Sequence, residues 1–162
     1  MLQEALQLHA DGDLEGAEDA YLRVIQLDPQ NKFAYYNLGL ISQTRGDLVG
    51  AESSYRTAIT IDPDFTTALF NLAILRTDAG SAEEAIDLYK HIIEVTPADV
   101  ADGQTKRLLA ATHLNLGFLL IDQGDETRGQ AELDEAVRLD PSLEDRIGSG
   151  VTAGSSGESP SP

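Results

Sequence analysis

The feature that most limits what this chain can fold into is a pair of markers that keep step four times. Gly12, Gly46, Gly80 and Gly124 are separated by 34, 34 and 44 residues, and Pro29, Pro63, Pro97 and Pro141 repeat those intervals. Each glycine precedes its proline by 17 residues, the span of one helix with its turns. Proline cannot continue a helix and so ends each unit.

The residues between the markers hold the same register. Five after each glycine come the small residues Ala17, Ala51, Ala85 and Gly129; four further on come the large ones Tyr21, Tyr55, Tyr89 and Leu133. Val24, Ala58, Ile92 and Ala136 follow, then Leu27, Ile61, Val95 and Leu139. Offsets of three and four place these on one helix face, and small–large alternation lets neighbouring helices interlock. The segment before each glycine is a second helix. Its apolar stripe runs through Tyr35, Leu38 and Ile41, then Leu69, Leu72 and Leu75, then Leu116, Leu119 and Leu120. Gly39, Ala73 and Gly117 share one position in it. A mid-helix glycine costs roughly 1 kcal/mol against alanine, so its recurrence implies a contact too close for a side chain.

The string Ala34-Tyr35-Tyr36-Asn37-Leu38-Gly39, followed by Gly46, Ala51, Tyr55, Ala58 and Pro63, resembles the tetratricopeptide repeat, whose period is 34 residues. The resemblance covers about residues 1 to 147. It implies an all-α chain: an α-solenoid of four helix–turn–helix repeats wound as a right-handed superhelix, with the first helix of each pair lining the concave face. The expected organisation is one domain over 1–147, with repeats at about 1–30, 31–64, 65–98 and 108–142. An insertion falls near 98–107, a short capping turn spans 142–147, and a Gly/Ser/Pro tail over 148–162 is expected to be disordered.

Three departures stand out. By register Met1 occupies the position of Tyr35, and Glu4 stands where Leu38 and Leu72 stand. Either the first repeat is an atypical cap or the sequence starts inside a longer chain. Next, ten extra residues separate the third and fourth units and carry Lys106-Arg107, the only adjacent basic pair. From Thr105 the pattern is helical. The insertion reads either as a specificity feature beside the groove or as a tolerated loop. Finally, Leu143 and Ile147 begin a fifth unit that stops at Gly148-Ser149-Gly150. Partial cover of the last helix would leave an end open to self-association.

The register also selects the inward positions of the first helices. These are Leu2, Gln3, Leu6 and His9 in the first unit, then Phe33, Tyr36, Asn37, Leu40 and Gln43. The third and fourth units supply Thr67, Phe70, Asn71, Ile74 and Thr77, then Ala111, Leu114, Asn115, Phe118 and Ile121. Asn37, Asn71 and Asn115 coincide. An amide both donates and accepts and can pair with a peptide backbone, as a matching ladder does in some family members; it can equally bond within its own scaffold. The apolar lining of Tyr36, Leu40, Phe70, Ile74, Leu114 and Phe118 marks a partner site. Asp78 and Asp122, near the rim, favour a ligand with flanking Lys or Arg. The carboxylate clamp of some family members grips through a set of groove positions, Lys and Arg among them, held here by Leu2, Leu6, Asn37, Thr67 and Asn71; only one matches, and none is a cation.

Chemistry finds no foothold in this pattern. His9, His91 and His113 fall at different repeat positions, cysteine is absent, and no phosphate loop or spaced calcium ligands occur. No catalytic residue, metal or cofactor is therefore expected, and the chain is not expected to be an enzyme. With 28 acidic against 11 basic residues and a formal charge of −17, nucleic acid and anionic membranes are disfavoured. No signal peptide or spanning segment is evident, which suggests the cytoplasm. The expected function is a scaffold that binds a peptide segment or partner helix in an apolar, Asn-lined groove. The alternatives are a self-assembling protein, a homo-oligomer stacked through its repeat ends, and the recognition arm of a larger enzyme or membrane protein.

Overall fold

A computed structural model describes residues 1–98 and 101–148; the tail expected to be disordered lies, beyond Gly148, outside them. Among the described residues the regular structure is helical: α1 (Leu2–Ala10), α2 (Leu14–Leu27), α3 (Lys32–Thr44), α4 (Leu48–Ile61), α5 (Thr66–Asp78), α6 (Ala82–Val95), α7 (Gly103–Asp122) and α8 (Glu126–Leu139), followed by a 3₁₀ turn over Pro141–Leu143. The chain is an all-α helical repeat protein.

The turn inside each repeat is built by its marker glycine. Gly12, Gly46, Gly80 and Gly124 have φ between +74° and +84°, a left-handed conformation that side chains other than glycine's adopt at a cost. The following residue then closes the turn. The backbone N–H groups of Asp13, Asp47, Ser81 and Asp125 donate back to the carbonyls of Leu8, Ser42, Arg76 and Leu120. The same aspartates cap the next helix: Asp13 accepts from Gly16 N–H and Asp47 from Gly50 N–H, both at 2.9 Å. Asp125 accepts from Arg128 N–H at 3.2 Å. A Gly-Asp pair thus ends one helix and starts another.

The chain divides into two compact units, Met1–Leu88 and a second that starts at Tyr89, a division that falls within α6. In the first unit α1 to α5 pack in sequence order, each against the next. Tyr21 and Tyr55 are completely buried, set against the small residues Ala17, Ala51 and Ala34. A β-carbon on Gly39 would lie 2.5 Å from the Tyr55 ring, the close approach expected of that position. On the surface, Arg56 and Arg76 each bridge Glu52 and Glu84, which ties α4, α5 and the start of α6 together.

In the second unit α7 runs for 20 residues, against 13 for α3 and α5. The insertion therefore contributes extra turns to the first helix of the fourth repeat, capped by Asp102, whose carboxylate accepts from Thr105 N–H at 2.7 Å. Leu143 and Ile147 are buried against Ala110, Leu114, Leu133 and Ala136. They cover the apolar side of the last helix pair more fully than its sequence suggested.

Candidate functional site

The candidate site is the face of the first helices. In the first unit, α1, α3 and α5 each carry apolar residues at two matched positions four apart: Leu2 and Leu6, Tyr36 and Leu40, Phe70 and Ile74. None of the six is buried, whereas the small residues at the adjoining position, Ala5, Gly39 and Ala73, are. Leu6 is 43% exposed and Phe33, at the start of α3, 48%.

Around Phe33 the structure gathers an aromatic group that the inward positions alone did not reveal. The Phe33 and Tyr36 rings each meet Phe65 with centroids 5.4 Å apart, edge to face. The Lys32 ammonium stands 4.9 Å from the Phe65 ring and 5.2 Å from that of Phe33, and pairs with Asp62. Phe65 escaped the sequence reading because it precedes α5 and belongs to no helical stripe. Such contacts fix the arrangement of these rings, of which Phe33 is exposed and Tyr36 and Phe65 are half-buried.

The three matched asparagines do not act alike. Asn37 is buried, and its amide donates to the Phe33 carbonyl of its own helix at 2.7 Å. Asn71 donates to the Tyr36 hydroxyl at 3.2 Å. In the second unit Asn115 donates to the Tyr89 hydroxyl at 3.4 Å. Each amide thus gives one N–H to the scaffold. Burial pushes the Tyr36 phenol above its ordinary value, opposed by the hydrogen bonds from Asn71 and Thr67. Burial raises the Tyr55 phenol too, and its hydroxyl donates to Gln43 at 2.8 Å.

The fourth-repeat residues sit differently. Leu114 is buried, against the sequence reading that placed it in the lining, because Leu143 and Ile147 pack over it. Phe118 is half-buried on the same cluster, and Asp122 is exposed, as is Asp78 in the first unit. His113 is buried with Nδ1 2.6 Å from the Glu132 carboxylate, a link between α7 and α8. His9 stacks edge-on to Tyr21 with centroids 6.2 Å apart. No helix among the described residues is long and apolar enough to cross a membrane.

Comparison with known proteins fixes the kinship. A family model described as the cilia and flagella-associated protein 70 middle TPR-like domain matches residues 1–140. The chain belongs to this tetratricopeptide repeat family. Among solved structures it resembles MamA, with a TM-score of 0.70 at 20% identity over 85% of this chain and 74% of that one. It also resembles a tetratricopeptide repeat protein from Parabacteroides merdae, with a TM-score of 0.73 at 22% identity over 86% of this chain and 52% of that one. The N-terminal domain of stress-induced protein-1 from C. elegans gives 0.62 at 22% identity over 73% of this chain and 92% of that one. The comparison with curated proteins returned no match. Tetratricopeptide domains are in general protein–protein interaction modules, and typically scaffolds rather than enzymes.

Proposed function

We propose that the chain is a protein-binding scaffold whose first unit seats a peptide segment or partner helix along the first-helix face. The observation that carries this reading is the double column Leu2, Tyr36, Phe70 and Leu6, Leu40, Ile74. It is apolar at every position; Leu6 is exposed and the other five are half-buried, with Leu2, Tyr36 and Leu40 packed in part against the core. Each of these side chains keeps part of its surface accessible, whereas Leu114, at the place matched to Tyr36 and Phe70 in the second unit, is buried. Contiguous apolar surface of this kind, with Asp78 exposed nearby, suits an apolar segment flanked by Lys or Arg. The formal charge of −17 favours the same partner.

The asparagines take a smaller part in this reading than the aromatic and aliphatic groups. Asn71 fixes the Tyr36 hydroxyl and so the ring that faces the ligand, while Asn37 steadies α3 from within. Phe118, Asn115 and Asp122 belong to the second unit's own surface.

Capture of partners from the source cell tests the proposal. The double variant Leu6→Asp with Phe33→Asp places two charges on the face at exposed positions. Val49→Asp, at a residue 80% exposed on α4, is the control. Recovery of the main captured protein is expected to fall about tenfold with the double variant, equivalent to about 1.4 kcal/mol, and to hold with the control. Equal recovery by both would sink the proposal.

A further inference from the structure

At one corner of the first unit the fold already holds a cation against two aromatic rings. The Lys32 ammonium lies 4.9 Å from the Phe65 centroid and 5.2 Å from that of Phe33, and it pairs with the Asp62 carboxylate. The two rings meet edge to face with centroids 5.4 Å apart. Ring faces and a carboxylate attract positive charge together. The Lys32 hydrogen bond draws the Asp62 carboxyl below its ordinary range, and Asp62 also accepts from the Asp64 N–H at 3.2 Å.

The corner belongs to one place in the repeat array. By register Phe65 stands where Asn31 and Leu109 stand, Lys32 where Thr66 and Ala110 stand, and Phe33 where Thr67 and Ala111 stand. It is accessible: Phe33 is exposed, and Lys32, Asp62 and Phe65 are half-buried. It is also continuous with the apolar column, because the Phe65 ring meets that of Tyr36 with centroids 5.4 Å apart. A segment seated over Tyr36 has the corner at its side.

Lys32 is a weakly held occupant. It is the first residue of α3, where the helix dipole opposes a positive charge. Its long stem gives up rotamer freedom to reach the rings, and a half-exposed ion pair is a loose restraint. A guanidinium is better suited to the same groups. It offers a planar face to the rings, a fork of N–H donors to the carboxylate and a weaker hydration shell than an ammonium. Charge permits the exchange. Lys32 returns to water as the incoming cation takes Asp62, and Asp62 with the exposed Asp64 outnumbers Lys32 at this corner.

We propose that the corner formed by Phe33, Phe65 and Asp62 seats an arginine side chain of the bound segment, which displaces Lys32. The inference rests on the first-helix reading above and assigns a place to the basic flank of such a segment.

Fluorescence anisotropy tests it with two labelled hexapeptides, one of alternating Leu and Arg, the other of alternating Leu and Ser. Four variants are compared with the unaltered chain. They are Lys32→Ala; Arg23→Ala, which removes the same charge at an exposed residue of α2; Phe65→Leu; and Leu6→Ser, on α1 and outside the corner. The Kd of the Arg peptide is expected to fall about threefold or more with Lys32→Ala and to change by less than about twofold with Arg23→Ala. Phe65→Leu should raise it about fivefold and leave the Ser peptide within about twofold. Circular dichroism checks that all variants are folded. Binding of the Arg peptide no tighter than that of the Ser peptide would overturn the proposal. So would a Lys32→Ala effect that is absent or matched by Arg23→Ala, and so would equal weakening of both peptides by Phe65→Leu, since the ring would then only brace Tyr36. The first-helix reading fails in a different way: Leu6→Ser would leave the Kd of the Arg peptide unchanged while Lys32→Ala still lowered it.

Discussion

Gly129→Ala separates two opposing forces on the helix pair of the second unit. Taken alone, α8 should gain: replacing a mid-helix glycine by alanine is worth about 1 kcal/mol. Against this stands the contact with α7. A β-carbon at Gly129 would lie 2.7 Å from the Gly117 carbonyl oxygen, 3.1 Å from the Ile121 nitrogen and 2.5 Å from Ile121 Cγ1. The last atom can rotate away, but the first two are helix backbone and cannot. The helices must therefore part, loosening Leu133 and Ala136, which are fully buried in the same cluster. Overpacking costs about 1–3 kcal/mol, and loss of contact at these neighbours puts this site at the upper end. The net expectation is a destabilisation of about 1–2 kcal/mol. With a urea dependence of about 2 kcal/mol per M for a chain of this size, the unfolding midpoint followed by circular dichroism should fall by about 0.5–1 M. Gly103→Ala is the control: a β-carbon there meets nothing within 4 Å, and the midpoint should hold or rise. If Gly129→Ala unfolds at or above the urea concentration of the unaltered chain, close backbone approach is not what selects glycine here.

Other expectations address different parts of the molecule. Glu132→Ala leaves the buried His113 imidazole without its partner and should cost about 1–3 kcal/mol in thermal unfolding; Glu132→Gln, which keeps a hydrogen bond, should recover most of the loss, and equal losses would contradict this. Leu143→Ala should cost about 2–5 kcal/mol and raise hydrogen exchange in α7 and α8 while sparing α1 to α4; a uniform rise would contradict a cap that acts on its own neighbours. Asp62, Asp102, Asp125, Glu135 and Asp140 are held below ordinary carboxylate values, chiefly by Lys32, Thr105 N–H, Arg128 N–H, Arg138 and the Ser142 hydroxyl respectively. Their depressed folded values mean that the stability they add is fully present above about pH 4, the unfolded carboxylate range, and is lost as pH falls through the lower folded values. Helicity should therefore decline below about pH 4; loss of helicity between pH 7 and 5 would contradict the assignment.

The fold was legible because it is written in punctuation. A glycine at positive φ, a short polar residue after it (aspartate in three turns, Ser81 in the third) and a large side chain beside a small one (tyrosine in three repeats, Leu133 in the fourth) each leave few acceptable residue types, and the repeat shows each several times. The candidate site was legible only in part. Position and register marked Leu6, Leu40 and Ile74, since one helix face suffices to place them. Leu114 occupies the same register as Tyr36 and Phe70 yet is buried, because its exposure depends on Leu143 and Ile147, which follow it in the chain by about thirty residues. Asn37, Asn71 and Asn115 look equivalent in sequence, but each takes a different partner according to what its neighbour offers: a carbonyl in one case, tyrosine hydroxyls in the others. The setting of Lys106 and Arg107 at the end of α8 depends on the antiparallel return of that helix, which no local pattern records.

The most direct test of the first-helix face is site-specific photocrosslinking in the source cell. A benzophenone side chain would be placed in turn at Leu6, Leu40 and Ile74 on α1, α3 and α5, and at Val49 and Thr60 on α4. The result expected is one common partner band from the three first-helix positions and none from the two on α4. Crosslinks to that partner from Val49 and Thr60, with silence from Leu6, Leu40 and Ile74, would place the binding surface on the other side of the repeats and contradict the account.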